Sequence, residues 1–275
     1  MRSARKSPAL ILFILAGLGG AASAEPLPWA KQPQGSNECG PCSYINSLIA
    51  GGKSAELDQF PGTQPLEKAR SFSDRYGKVD SVVYGSRRTA YSDKNGTADQ
   101  DLLGMINTQR QHGSKPPLTG NYLTKKADES RELFLERTAA NINRSIQSGT
   151  LPLLSVRSVK ATPDAAGAFK WNAITGHWVC VLSAELLPTK DGISLRMADS
   201  NSGTVLGGML YSGMPRTSVP MSFDVSADGK EVWKWEEGSN CLFLTAPGLP
   251  LGTDKTAWQV RTYIAARYLI CEGGR

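Results

Sequence analysis

The sequence predicts an α+β fold, with helices in the first part of the chain and a mostly antiparallel sheet in the second. Before residue 150, apolar residues recur at helical spacing, at Leu135, Ala139, Ile142 and Ile146. After it, short apolar runs are separated by turn residues, as is typical of strands. Helices followed by strands, without a βαβ alternation, favour an α+β architecture over a parallel α/β one.

Four helices are predicted from apolar spacing, caps and helix-ending glycines. The first begins at Cys39, has Pro41 in its first turn and ends at Gly51 and Gly52. The others lie at 66–76, at 99–111 and, after a cap at Asp128, up to Gly149. The first helix therefore opens with a Cys-Gly-Pro-Cys motif, which is the most informative feature of the chain.

Six strands are predicted in the second half of the chain, each bounded by turn-forming residues. They lie at 151–156, 178–183, 193–197, 232–235, 241–245 and 260–271. We expect most of them to pair antiparallel with a neighbour and to form one sheet.

The first 24 residues have the form of a secretory signal peptide. Basic residues precede an apolar run at 8–18, which is too short to span a membrane, and small residues at 22–24 provide a cleavage site. We therefore expect an exported protein, periplasmic or secreted. Residues 25–275 are expected to form one domain, with a helical and loop insertion around 53–127.

The composition of the remaining chain excludes some classes of partner. Without the predicted signal peptide, 28 Lys and Arg residues stand against 25 Asp and Glu residues, a net charge of +3. No dense basic cluster with interleaved aromatic residues appears, so we expect no nucleic-acid partner. No other apolar run approaches about 18 residues, so we expect no stable membrane insertion after signal cleavage. Nothing in the sequence indicates an oligomeric state.

The cysteine count also carries information. The chain has five, at positions 39, 42, 180, 241 and 271. In an oxidising compartment an odd number leaves at least one cysteine without an intramolecular partner. We expect four of the five to form disulfide bonds and the fifth to serve as a catalytic thiol.

One of the two histidines is placed where it can meet a carboxylate. His177 stands at the start of an apolar strand, and a hairpin symmetric about Pro188 would set it directly opposite Asp199. Opposed Cβ atoms in an antiparallel pair are about 5 Å apart, so an imidazole can hydrogen-bond such a carboxylate. Asn201 lies two residues further on the same face and is an alternative. We assign no role to His112.

A cysteine at a helix N-terminus completes a nucleophilic arrangement. The helix dipole and a nearby imidazolium favour the thiolate of Cys39. A base, here His177, and a third group that orients it, here Asp199, then provide the arrangement for acyl transfer. The side-chain amide of Gln34 is a candidate donor to the developing oxyanion, together with the backbone N–H of the cysteine.

Four short stretches resemble papain-like cysteine peptidases, most closely a bacterial branch with the double-glycine-leader, bacteriocin-processing peptidases and their secreted stand-alone relatives. The stretches lie at 34–42, 147–154, 176–179 and 198–201. The resemblance implies a papain-like fold, in which an N-terminal helix with the cysteine packs against a sheet with the histidine and the aspartate. It also implies a thiol protease that hydrolyses peptide bonds through a thioester.

The resemblance implies Cys39 as nucleophile, His177 and Asp199 as its partners, and Gln34 at the oxyanion. Two alternatives stay open within it, namely Cys42 as the nucleophile and Gln32 at the oxyanion. The implied partner is a peptide or protein substrate. No cofactor and no metal ion is expected.

Other functions use the same residues. Cys-Gly-Pro-Cys is also the motif of thioredoxin-like thiol-disulfide oxidoreductases, which would use Cys39 and Cys42 as a redox pair. Together with His177 and Cys180, this pair supplies four ligands of a type suitable for structural zinc. An amidase or acyltransferase of papain-like fold, acting on a non-protein amide, would use the same Cys-His-Asp arrangement. A non-enzymatic disulfide-bonded domain is the remaining alternative.

Overall fold

The computed structural model describes residues 29–163, 169–212, 222–225, 231–234, 241–249, 251 and 261–273. The predicted signal peptide lies outside these residues. No helix within the described part of the chain has the length and apolarity needed to cross a membrane.

All four predicted helices are present, and one short helix is added. The helices are α1 (Cys39–Ala50), α2 (Ser54–Leu57), α3 (Pro65–Tyr76), α4 (Asp99–His112) and α5 (Arg131–Gln147). Helix α1 starts at Cys39 and ends at Gly51, as predicted. The cap of α5 is Ser130, whose Oγ accepts the backbone N–H of Leu133, and not Asp128 as predicted.

All six predicted strands are present, some longer than expected. The strands before residue 150 are β1 (Asp80–Ser81), β2 (Gly85–Thr89), β3 (Tyr91–Ser92), β4 (Gly96–Thr97) and β5 (Leu118–Tyr122). Those after it are β6 (Leu153–Pro163), β7 (Phe169–Leu186), β8 (Gly192–Asp199), β9 (Thr204–Ser212), β10 (Ser222–Val225), β11 (Glu231–Lys234), β12 (Leu242–Thr245) and β13 (Arg261–Glu272). Strands β1–β5, β9 and β10 were not predicted.

The large sheet closes into a six-stranded antiparallel barrel. Its strands follow the order β12-β9-β8-β7-β6-β13, and β12 pairs with β13 to complete the ring. Strand β5 pairs with the C-terminal half of β13 and extends the sheet beyond the ring. The predicted α+β class with a mostly antiparallel sheet is confirmed, and closure of the sheet is an additional feature.

Two hydrophobic clusters stabilise this arrangement. One takes buried side chains from all six barrel strands and from α5, including Phe134 and Ile142. The other lies between helices α1, α3 and α4 and the opposite face of the sheet, and includes Ile45, Phe72 and Trp178. Since each strand alternates its side chains between the two faces, one sheet supplies both clusters.

The segment 53–127, predicted as an insertion, is joined to the rest of the domain at several points. Helices α3 and α4 pack on α1, and β5 belongs to the large sheet. The Arg110 guanidinium on α4 lies 3.0 Å from the Glu272 carboxylate at the end of β13. This segment therefore builds one wall of the domain beside the start of α1.

The expected disulfide bonds are not formed. Cys42, Cys180 and Cys271 are buried free thiols, and Cys39 is a partly exposed one. Cys42 and Cys180 belong to the cluster under α1, and Cys271 belongs to the barrel cluster. In these positions cysteine packs as a small apolar side chain.

Two adjacent residues of α5 provide a test of the barrel cluster. Phe134 is fully buried, whereas the side chain of Leu133 is 54% exposed. We expect Phe134→Ala to lower the free energy of unfolding by about 3–5 kcal/mol, because it leaves a cavity in the cluster. Leu133→Ala, the matched control, should change it by about 0.5 kcal/mol or less. Denaturant titration of both variants measures the difference, and equal effects would contradict the assigned core.

Candidate active site

Helix α1 is fixed against strand β7 by polar contacts near its start. The Ser43 hydroxyl donates to the backbone oxygen of Trp178, the residue after His177, over 2.8 Å. The Asn46 side chain accepts the backbone N–H of Ala30 at 2.6 Å and donates to its oxygen at 3.2 Å. These contacts place Cys39, the first residue of the helix, beside the strand that carries His177.

His177 and Asp199 form a buried pair. Nε2–H of His177 donates to Oδ1 of Asp199 over 2.6 Å, and both side chains are buried, at 2% and 0% exposure. The pair was expected to be directly opposed, but Asp199 lies opposite Val179 because the chain turns over 187–191 and the register shifts once near Leu182. The offset is two residues, so Asp199 stays on the predicted face and reaches His177 diagonally.

The Asp199 carboxylate is held by the turn that follows β8. It accepts the backbone N–H of Asn201 on Oδ1 at 3.1 Å and that of Ser202 on Oδ2 at 2.9 Å. Burial raises the pKa of Asp199, but the hydrogen bond and charge of His177 and the donors of Ser202 outweigh this and hold the pKa below its ordinary value. The carboxylate is therefore charged at neutral pH and fixes the imidazole.

Cys39 completes the group on the other side of the imidazole. Cys39 and His177 line the same cleft, and the Cys39 side chain is near enough to the imidazole to raise the pKa of His177. Because Nε2 is bonded to Asp199, the ring nitrogen that faces the thiol is Nδ1. Burial lowers the pKa of His177, yet the hydrogen bonds and negative charges of Asp199 and Cys39 prevail and raise it to about 9. His177 is therefore an imidazolium at neutral pH.

The second cysteine of the motif is in a different environment. Cys42 is fully buried among apolar side chains, one helical turn into α1. Burial raises the pKa of its thiol far above the ordinary value, and the nearby Glu38 and Cys39 raise it further. The structure thus brings Cys39, and not Cys42, to the imidazole.

The two candidate glutamines are placed differently. Gln34 lies in an exposed turn and is absent from the described cleft lining. Gln32 is buried, donates its backbone N–H to Ser200 and its side-chain Nε2–H to Oδ1 of Asn201. Gln32 therefore contacts the turn that holds Asp199, whereas the role of Gln34 at an oxyanion stays a prediction.

A cleft of ≈ 610 Å³ opens beside Cys39 and His177. The segment 53–127 supplies one wall, and strands β6 and β7 supply the other. Polar and charged residues in its lining include Arg88, Thr97, Asp99, Ser155, Arg157 and Arg267. None of the six is predicted from the sequence, because they lie on short hairpins, at the start of α4 or at strand positions, without a recognisable motif.

Thr97 lies directly against the start of α1. Its Oγ1 lies 2.7 Å from where a Cβ at Gly40 would be, so only glycine fits at that position. This hydroxyl is buried, and no partner for it is found in the described part of the chain. The first N–H groups of a helix have no intrahelical acceptor, so those of Cys39 and Gly40 are candidate donors next to the thiol.

The alternative zinc site finds no support in the geometry. Within the described ranges, no group of three or more His, Cys, Asp or Glu side chains is arranged to hold a metal ion. Cys180 packs under α1 with Cys42, while His177 is bonded to Asp199. The other histidine, His112, contacts the Tyr76 hydroxyl and does not line the cleft.

Comparison with known proteins gives no relative. No protein-family model, no curated protein and no solved structure matches this chain. The resemblance to papain-like peptidases therefore stays a prediction that rests on the residues themselves. A function is therefore inferred from the geometry of Cys39, His177 and Asp199.

The hydrogen bond to Asp199 makes the largest of the contributions that raise the pKa of His177, and its effect can be measured. We expect Asp199→Asn to lower the pKa of His177 from about 9 toward the ordinary histidine value, because a neutral amide replaces the carboxylate. NMR titration of the imidazole ring signals measures it, with His112, on α4 outside the cleft, as the internal reference. An unchanged His177 titration in the variant would contradict the assignment.

Proposed function

We propose that this protein is a cysteine-dependent amide hydrolase, with peptide bonds as its substrate. The observation that carries the proposal is the buried hydrogen bond between His177 and Asp199, with Cys39 and His177 side by side in the lining of a cleft. A nucleophile bonded to a base, with the base oriented by a third group, is the arrangement used for acyl transfer. Outside this cleft, the described residues offer no second group of this kind.

In the proposed first step, Sγ of Cys39 attacks the carbonyl carbon of the substrate amide, with the thiol proton held on His177. The bond between sulfur and carbon forms, and the carbonyl oxygen becomes an oxyanion. We propose the backbone N–H groups at the start of α1 as its donors, with the Thr97 hydroxyl of the cleft lining as a further candidate. His177 then gives its Nδ1 proton to the amine, the C–N bond breaks, and a thioester remains.

In the second step, water hydrolyses the thioester. Neutral His177 takes a proton from the water as its oxygen attacks the thioester carbon. The C–S bond breaks, the carboxylic product leaves, and the proton on His177 restores the starting pair with Cys39. Asp199 stays ionised throughout and holds the imidazole in place, as a buried and hydrogen-bonded carboxylate does.

The arrangement of elements supports the further proposal of a papain-like fold. A helix that begins at the nucleophile packs on an antiparallel sheet, and adjacent strands of that sheet carry His177 and Asp199. The signal-like N-terminus supports export to the periplasm or beyond. We propose a peptide or protein as substrate, because the cleft is large and is lined by polar groups that can bind a peptide backbone.

A redox function is less well supported. A dithiol oxidoreductase needs two cysteines that exchange a disulfide with a partner. Here Cys42 is buried as a neutral thiol, and residues 29–38 contain no strand before the motif. An amidase or acyltransferase acting on a non-protein amide would use the same three residues, and substrate profiling separates it from a peptidase.

The two cysteines of the motif should differ sharply in a hydrolysis assay. We expect Cys39→Ala to lower kcat/KM by at least about a thousandfold, because it removes the nucleophile. Cys42→Ala should keep kcat/KM within about tenfold, since Cys42 only fills space under α1. Peptide hydrolysis by both purified variants measures this.

Labelling with iodoacetamide at mildly acidic pH gives a second readout. Cys39 should be modified selectively, and His177→Ala should slow its labelling. Equal loss of hydrolysis in both cysteine variants, with gain of disulfide reductase activity in the wild type, would overturn the hydrolase in favour of the redox function.

The two glutamines form a matched pair for the oxyanion question. We expect Gln32→Ala to lower kcat, because it releases the turn that holds Asp199. If Gln34 has no part in the site, Gln34→Ala should leave kcat within about twofold, as for other exposed side chains. A loss of kcat of about a hundredfold or more in Gln34→Ala would instead support the oxyanion role that the sequence predicts for it.

A further inference from the structure

One hydroxyl in the lining of the cleft is buried and makes no hydrogen bond within the described part of the chain. It belongs to Thr97, which lines the cleft together with Cys39 and His177. A buried hydroxyl without a partner destabilises a folded protein, so native structures keep few of them. The O–H group of Thr97 is therefore a donor that a substrate in the cleft can use.

This hydroxyl lies against the residue that follows the proposed nucleophile. A Cβ built on Gly40 would lie 2.7 Å from Oγ1 of Thr97 and 3.5 Å from Cδ1 of Trp178, the residue after His177. Thr97 is thus placed where the start of α1 meets strand β7. For a nucleophile at the start of a helix, the oxyanion forms beside the free N–H groups of that helix. Thr97 approaches the helix at this same end.

The hairpin that carries Thr97 is bound to the segment that leads into α1. Strands β3 and β4 pair with each other, and the turn between them contains Asp93 and Lys94. The side chain of Asn37, two residues before the nucleophile, donates Nδ2–H to the backbone oxygens of both, at 2.9 Å and 3.0 Å. Asn37 therefore connects the hairpin to the chain that positions Cys39.

A close backbone contact adds to this connection. Gly96, the residue before Thr97, has φ +64°, and a Cβ there would lie 2.9 Å from the backbone oxygen of Asn37. A side chain at this position would be strained and would push the hairpin away from the segment, so glycine is required. The hairpin therefore packs tightly on this segment right next to Thr97.

We infer that Thr97 is the side-chain donor to the oxyanion and that Asn37 is a positioning residue that holds its hairpin in place. The inference rests on the proposed hydrolase function and adds a catalytic residue to it. The Thr97 O–H donates to the substrate carbonyl oxygen as Cys39 attacks, alongside a backbone N–H at the start of α1. Gln34, which the sequence predicts for this role, lies in an exposed turn outside the described cleft lining.

Removal of the hydroxyl alone tests the role of Thr97. We expect Thr97→Val, which keeps the β-branched shape, to lower kcat for peptide hydrolysis by about a hundredfold with little change in KM. Thr97→Ser keeps a hydroxyl and should retain most of kcat. Thr119→Val, the matched control at an exposed position of β5 outside the cleft lining, should keep kcat within about twofold.

Two reagents separate an effect on the oxyanion from an effect on the thiol. Iodoacetamide alkylates a thiolate at a saturated carbon and forms no oxyanion, so Thr97→Val should keep the labelling rate of Cys39 within about twofold. The adduct of a peptide aldehyde with the thiol has an oxygen at the oxyanion position. Such an aldehyde should therefore bind Thr97→Val about tenfold or more weakly than the wild type.

The outcomes distinguish this inference from the proposed hydrolase. An unchanged kcat in Thr97→Val overturns the role of Thr97, while the hydrolase stands. Equal slowing of hydrolysis and of iodoacetamide labelling in this variant also overturns it, because the hydroxyl would then act on the thiol. Uniformly slow iodoacetamide labelling of the wild type overturns the hydrolase itself.

A double-mutant cycle tests the role of Asn37. Asn37→Ala should lower kcat by about tenfold and leave iodoacetamide labelling of Cys39 unchanged, because it removes the hydrogen bonds that hold the hairpin. In the Thr97→Val background, the same substitution should lower kcat by about twofold or less, since the hydroxyl that it positions is absent. Equal losses in both backgrounds overturn the positioning role.

Discussion

The hydrogen bond between His177 and Asp199 has to be made inside the protein, where charged groups are costly, and this constraint organises the site. Removing an imidazolium and a carboxylate from water costs several kcal/mol per ion, which only good geometry and additional hydrogen bonds offset. The turn after β8 supplies these bonds to the carboxylate through two backbone N–H groups. Gly203, at φ +70°, closes the turn by donating its N–H to the backbone oxygen of Asp199. With Nε2 committed to the carboxylate, Nδ1 is left to face Cys39.

The nucleophile and its base come from distant parts of the chain, so their distance depends on how α1 docks. Two side chains of the helix make these connections: Ser43 binds the strand of His177, and Asn46 holds the segment that leads into the helix. Gln32, in that same segment, binds the turn of Asp199. Helix, strand and turn are thus linked around the imidazole. A shift of any one of them would change the position of the thiol relative to the imidazole.

Sequence reasoning succeeded where the signal is local. Pro41 and Gly51 mark the ends of α1, and period-2 alternation kept His177 and Asp199 on one face even though the assumed register was wrong by two residues. The register itself depends on an irregularity near Leu182 that apolar patterning does not reveal. Closure of the barrel between β12 and β13, and the arginine-lined wall, arise from contacts between segments far apart in sequence. Polar hairpins such as β3 and β4 carry no periodicity from which to predict them.

Environment, and not the motif, distinguishes the two cysteines of Cys-Gly-Pro-Cys. Cys39, at the first helical position, lines the cleft beside the imidazole of His177. Cys42, one turn later on the buried face, meets apolar side chains and repulsion from Glu38, both of which oppose ionisation. A redox pair needs both sulfurs accessible to each other and to a partner, and burial of the second removes that condition. The same helix start that would suit a dithiol therefore presents a single reactive sulfur, which lies beside the imidazolium of His177.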